Sequence, residues 1–273
     1  MLEIFVPSSE VFCLDTLNEL LENIFVARFG FSVGLENQRM TTNLTYRLPA
    51  ISPRAQQFLK LLALGLMIAD HVHYVFFNRN LEWLYWLSRL VFPIFALIAA
   101  QNLERHRANP YRYISRLLAW GAIAQPAYWF CFHAPQLNVL FTLASSVGLY
   151  WVLETLKARE FHIVLRYGIA LSVAFSLPFL EFGWSGVLAI PVLAAVMRRG
   201  AWWDWLAVFV LTFGIVNFTA PWPMPLVAIA LWTVASRWKG RNTRAPKWVQ
   251  WAFYAIYPIH LTVIAVTFVL FKT

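Results

Sequence analysis

The chain has 273 residues, 60% of them hydrophobic and 13% charged, with 14 Trp and 23 Phe; this excludes a soluble domain and indicates a polytopic membrane protein. The net charge of +9 does not point to nucleic acid, because the basic residues are distributed between hydrophobic segments and form no single stripe with interleaved aromatics. Cys13 and Cys131 lie far apart and specify neither a metal site nor a disulfide framework.

Residues 1–39 differ in kind from the rest, since they carry Glu3, Glu10, Asp15, Glu19, Glu22 and Glu36. Ser8 or Ser9 can cap an amphipathic helix whose Leu14, Leu17, Leu21, Ile24 and Phe25 share a face. The stretch lacks the basic n-region of a secretory signal and the length of apolar sequence needed for a span. Two readings stand: an interfacial or partner-binding helix, or upstream sequence preceding a start at Met40. The expected organisation is therefore an acidic leader over 1–39 and a transmembrane domain over 40–273.

Apolar runs approaching the ~20 residues that a ~30 Å hydrocarbon layer requires fall at 57–77, 82–100, 111–131, 136–156, 161–180, 183–198, 203–219, 222–237 and 249–271. The sixth is short, and the eighth begins with Pro221, Pro223 and Pro225. The expected fold is all-α, a polytopic transmembrane helix bundle of about nine membrane segments. Loop charge agrees with this spacing. Arg105, Arg107, Arg112 and Arg116 follow the second segment; Lys157, Arg159 and Arg166 the fourth; Arg198 and Arg199 the sixth; Arg237, Lys239, Arg241, Arg244 and Lys247 the eighth. The alternate connections hold Arg79 alone, so the positive-inside rule predicts a cytoplasmic N-terminus and a C-terminus outside. Trp residues near segment ends, such as Trp83, Trp129 and Trp184, fit an interfacial belt.

Arg89 stands apart from this scheme because it falls inside the second segment. The first segment contains LMIADHVHYVFF, with Asp70, His71 and His73 in an otherwise apolar run. At 1.5 Å per residue, His71 lies about 9 Å and Arg89 about 10 Å below the outer surface. An Asp70–Arg89 ion pair is therefore expected, since each group alone is costly in the membrane. Gln125, Asn138 and Glu181 reach the same outer half, and His260 falls deeper, about 16 Å from the cytoplasmic end. Together they predict a polar, partly hydrated cavity opening outward, with a structural network joining helices as the alternative. His73 is three residues from Asp70 and shares its face, whereas His71 points about 100° away and meets other neighbours. An imidazole in such a cavity can take a proton from an amine or hydroxyl nucleophile, which suits acyl transfer. The carboxylates and thiols nearby have no metal-ligand spacing, so no metal is expected.

In order, LKLLALGLMIADHVHYVFF, LSRLVFPIFALIAAQNLERH, YRYISRLLAWGAIAQPAYWF, LNVLFTLA and the terminal YAIYPIHL resemble the TraX family, typified by the acetylase of F-type conjugative pilin. The resemblance spans roughly 57–270 and is most specific at Asp70-His71, at Arg89, Pro93 and Phe95, and at the Asn-Val-Leu-Phe beginning with Asn138. The acidic leader departs from the family pattern, which favours Met40 as the start.

The resemblance implies a bacterial inner-membrane acetyltransferase, with acetyl-CoA as donor and the N-terminal amine of a membrane-inserted pilin subunit as acceptor. His71 would then be the general base, with His73 and His260 as rivals for that role, Asp70 and Arg89 holding the cavity together, and Gln125 and Asn138 contacting substrate. The cytoplasmic Arg105, Arg112 and Arg116 could receive the donor's phosphates. Asn109-Pro110 reads as the cap and first residue of the helix that carries the last two, adding a helix N-terminus favourable to anions. Ordinary positive-inside charge explains the same arginines. Rival functions remain open: an O-acyltransferase acting on an extracytoplasmic glycan, a transporter or flippase using Asp70, Arg89 and His71 as a relay, and a structural subunit of a secretion assembly. No internal repeat of the transporter kind is seen.

Overall fold

The computed structural model describes residues 49–104, 108–158, 168, 171–172, 174–175, 177–199, 223–238 and 247–272. The leader 1–39, Arg105, most of the expected segment 161–180 and all of 203–219 lie outside the described residues. Within them the regular structure is helical. Its elements are α1 (Pro53–Phe77), α2 (Glu82–Ser88), α3 (Val91–Glu104), α4 (Pro110–Phe132), α5 (Val139–Ala158), a 3₁₀ turn at Leu177–Phe179, α6 (Gly183–Arg199), α7 (Pro223–Ser236) and α8 (Lys247–Lys272).

Local sequence sets the helix ends. The Ser52 hydroxyl caps α1 by accepting from the Ala55 N–H, with Pro53 at the first helical position, where its missing donor costs nothing. Asn78 closes the same helix at φ 48°, a left-handed conformation that Asn tolerates better than most residues. The expected cap at Asn109 is present: its side chain accepts from the Arg112 N–H at 3.3 Å, and Pro110 follows.

One expected segment is two helices. The run at 82–100 breaks at Arg89 and Leu90, between α2 and α3. Pro93 supplies the reason, because it has no N–H to offer the Arg89 carbonyl four residues earlier. The break frees the backbone from strict helical geometry just where the membrane arginine sits.

Among the described residues, three helical stretches are long and apolar enough to cross a membrane: Pro53–Phe77, Glu82–Glu104 (α2 and α3 together) and Ala252–Phe271 within α8. Val139–Thr155, Gly183–Arg198 and Val227–Ser236 are apolar but shorter. The described residues thus support an all-helical membrane protein and contain three such spans.

α3 forms the centre. From Val91 to Ala100 it is apolar on every side, and Phe92, Ile94, Ala96, Leu97, Ile98, Ala99, Ala100 and Leu103 are all buried, the pattern of a helix enclosed by other helices. Its cluster takes in Leu59 and Ala63 of α1, Val147 of α5, Ile190 and Leu193 of α6, and Trp232 of α7. A second cluster joins α1, α4 and α8 through Leu64, Met67, Ala124, Tyr128, Tyr257 and Leu261. The outward faces of α1 and α8 remain apolar and exposed, as at Leu61, Ile259, Val263 and Leu270, which suits lipid contact.

Candidate functional site

A cavity of about 50 Å³ lies where the two clusters meet, large enough for a few ordered waters or a small acyl group. Met67, Asp70 and His71 line it from α1, Ser88 and Arg89 from the α2–α3 break, and Val91, Phe92 and Pro93 from α3. Val139 adds the first turn of α5, Glu181 and Phe182 the loop before α6, and Tyr257 the middle of α8.

The expected ion pair is present. An Arg89 guanidinium nitrogen lies 3.4 Å from Asp70 Oδ2, and both side chains are largely shielded. The same guanidinium stacks over the Tyr85 ring at 4.4 Å, while Arg79 covers that ring at 5.1 Å. The other Asp70 oxygen, Oδ1, is buried and has no hydrogen-bond partner. Asp70 therefore offers the cavity an unused acceptor.

His71 and His260 are partners. His71 Nδ1 lies 2.8 Å from His260 Nε2, although counting residues from segment ends placed the two at different depths. Their ring centroids are 5.1 Å apart and their planes within 11°, so the rings lie edge to edge, the arrangement of an in-plane hydrogen bond and not of a stack. The bonding fixes the tautomers. His260 Nδ1 faces the Ile256 carbonyl at 2.9 Å and can only donate there, which leaves its Nε2 as acceptor in the neutral ring. His71 Nδ1 must then carry its proton, and His71 Nε2 keeps its lone pair. Phe132 meets the His71 ring edge to face at 4.9 Å and holds its orientation.

His73 belongs elsewhere. Its Nε2 accepts from the Leu81 N–H at 2.7 Å, fastening the turn between α1 and α2, and it is absent from the cavity wall. Gln125 and Asn138 are likewise committed to the protein. Gln125 Oε1 accepts from both the backbone N–H and the side-chain amide of Asn138, while Asn138 also donates to the Gly121 carbonyl and accepts from the Leu140 N–H. This network ties α4 to the first turn of α5 and sets the position of Val139. Neither amide lines the cavity.

Glu181 reaches the site through tertiary structure. A short bridge pairs Leu137 with Leu180, and the Leu137 N–H donates to the Phe179 carbonyl at 2.6 Å, fastening the loop that precedes α6. The surrounding protein shields the Glu181 carboxyl and pushes its pKa upward; Asp70 adds to the push, while Arg89 and the Tyr128 hydroxyl oppose it. The residue is nevertheless exposed at the cavity mouth, so water screens part of this effect.

Of the arginines considered for phosphates, Arg112 and Arg116 are exposed along the first turns of α4, and Arg105 lies outside the described residues. Arg198, counted with the basic loops, is tied to Glu104 and, at 2.9 Å, to Glu154, so it links α3, α5 and α6. Among the described residues, no group of three or more His, Cys, Asp or Glu side chains could hold a metal ion. Sequence reasoning missed Tyr257 as a cavity residue. Its signal was the spacing in YPIH, which places it one turn before His260 on the same helical face.

Residues 55–267 match the family described as TraX protein. Protein TraX of Escherichia coli is 37% identical over 105 residues, covering 38% of this chain and 42% of that relative. Protein TraX of Escherichia coli strain K12 is 32% identical over the same shares. A probable fimbrial assembly protein FimC, serogroup H1, of Dichelobacter nodosus is 26% identical over 152 residues, covering 50% of this chain and 60% of that relative. The chain thus spans less than half the length of the two E. coli relatives in these matches. No solved structure matches.

Proposed function

The chain belongs to the TraX family, and from that membership and the chemistry of the cavity we propose that it is an integral-membrane acetyltransferase. In this reading it moves acetyl from acetyl-CoA to the N-terminal amine of a small membrane-inserted subunit of pilin type. The observation that carries the reading is the ordered pair His260–His71, which leaves one unprotonated imidazole nitrogen beside a cavity that also holds the Asp70–Arg89 pair. The similarity to FimC, named as a probable fimbrial assembly protein, supports a pilus-related acceptor.

Each group then has a task. Asp70 Oδ1 accepts an N–H of the incoming amine, while Arg89 holds the carboxylate in place through Oδ2. The amine lone pair attacks the thioester carbonyl carbon, forming the C–N bond, while the carbonyl π pair moves onto oxygen. His71 Nε2 takes a proton from the nitrogen, and His260 holds the imidazolium through the Nδ1–H bond. Collapse of the intermediate breaks the C–S bond. The proton on His71 then passes to the departing thiolate, giving an N-acetylated subunit and free CoA.

The remaining hydrophobic stretches complete a bundle of about nine membrane segments in the bacterial inner membrane, with the basic loops cytoplasmic. In this reading acetyl-CoA approaches from that side, and Arg105, Arg112 and Arg116 receive its phosphates. The thioester end must travel through the bundle to reach His71. Intact-mass analysis of small membrane proteins from cells with and without this protein tests the assignment. An added acetyl mass on an N-terminal peptide, present only with the protein, is expected; identical masses overturn it.

A further inference from the structure

We propose that Tyr257 is the oxyanion donor of this site, its hydroxyl hydrogen-bonding to the acyl carbonyl oxygen as negative charge develops there. The proposal rests on the acyl-transfer reading and deepens it.

Tyr257 is 4% exposed and lines the cavity together with Asp70, His71 and Arg89. Its hydroxyl is buried and has no hydrogen-bond partner, which is unusual because a buried Tyr O–H ordinarily finds one. The other polar groups of the cavity are acceptors or committed donors: Asp70 Oδ1 is an unused acceptor, His71 Nε2 carries a lone pair and Glu181 adds a carboxyl, while the Ser88 hydroxyl donates to the Tyr85 carbonyl and Arg89 to that carbonyl and to Asp70. Acyl transfer also needs a donor, and the Tyr257 O–H is an uncommitted one in the same wall.

The neighbouring backbone favours the same role. The Val139 N–H, in the first turn of α5, lies beside the Tyr257 oxygen without closing a bond. It is one of the N–H groups that a helix start leaves without an intrahelical partner. A donor on that side of the oxygen directs the hydroxyl proton elsewhere, and the cavity is where an acceptor can arrive. α5 runs for 20 residues, so its positive end adds to the stabilisation of a nearby oxyanion.

In the balanced step, the C–N bond forms as the carbonyl π pair moves to oxygen. Tyr257 donates a hydrogen bond to that oxygen and keeps its proton. The charge returns to the carbonyl as the C–S bond breaks. Placement explains why a protein would keep an unfilled donor in an apolar wall: the partner is present only in the transition state.

The test compares wild type, Tyr257→Phe and His71→Ala as full-length proteins in detergent. The probes are acetyl-CoA and a short apolar peptide with a free N-terminal amine, and the readouts are CoA thiol release and peptide mass. Tyr257→Phe should lower kcat about a hundredfold, the effect of losing one oxyanion donor. KM for acetyl-CoA should stay unchanged. The melting temperature should hold or rise, because the variant removes a hydroxyl that bonds to nothing in the protein. A hydroxyl with a merely structural role would instead lower the melting temperature and leave kcat intact. Full activity in Tyr257→Phe beside an active wild type and an inactive His71→Ala overturns the oxyanion assignment alone. No transfer by wild type overturns the acyl-transfer reading and this proposal with it.

Discussion

Removing the charge of Asp70 tests the pair on which the cavity is built. At 3.4 Å, and with an effective dielectric of about 20, the Coulomb attraction between Asp70 and Arg89 is about 5 kcal/mol before desolvation is subtracted. Breaking a buried pair by removing one partner commonly costs about 3–5 kcal/mol. Three features reduce that figure here. Asn retains an oxygen that can accept from Arg89, the Tyr85 ring lies 4.4 Å from the guanidinium, and Glu181 contributes a second carboxyl to its surroundings. Asp70→Asn should therefore cost about 1–3 kcal/mol, and Arg89→Gln a similar amount. The double variant should recover about 1–2 kcal/mol of the summed loss, because neither charge is then left alone. Unfolding by SDS in mixed micelles, followed by far-UV circular dichroism, gives the four free energies. Single losses that add to within about 0.5 kcal/mol would refute the pairing argument.

Replacing His71 by Ala should lower acetyl transfer by about 10²- to 10⁴-fold at unchanged yield, with His260→Ala giving a smaller loss because its bond fixes the His71 tautomer. His73→Ala should instead leave kcat intact and cost about 1 kcal/mol of stability, since the Leu81 N–H loses its acceptor; steady-state rates and melting curves on the three variants separate these outcomes. A Cβ at Gly186 would run into Thr142 Cγ2 and Phe182 Cβ, so Gly186→Ala should cost about 1–3 kcal/mol. Adding Thr142→Ser should restore part of that loss in thermal unfolding, and no restoration would argue against the contact. Glu181 has a folded pKa raised above its unfolded value, so ionising it opposes folding; the penalty is absent below about pH 4 and grows as pH rises through the folded value. Glu181→Gln should accordingly stabilise the protein more at about pH 8 than at about pH 4, and a melting-temperature gain that is larger in acid would contradict the sign.

Composition and periodicity determined the class of this protein, because a helix buried against lipid or other helices must advertise its apolar surface in one continuous run. The Ser52 and Asn109 caps were equally legible, since capping depends on residues three positions apart. The Asp70–Arg89 pair followed from cost and depth together: two charges at one level on consecutive antiparallel segments had few other partners. The break at Arg89 could have been anticipated from Pro93, whose missing N–H acts four residues upstream. What joined His71 to His260 was tertiary. Their separation in sequence is 189 residues, and α1 and α8 are offset in depth by an amount that counting from approximate segment ends does not recover. The roles of Gln125 and Asn138 were also decided in three dimensions, because an amide in a membrane segment reads the same whether it awaits a ligand or caps a neighbouring helix. Tyr257 shows the limit most plainly: an aromatic at helical spacing looks like packing, and only the surrounding fold reveals that its hydroxyl has been left without a partner at the wall of a cavity.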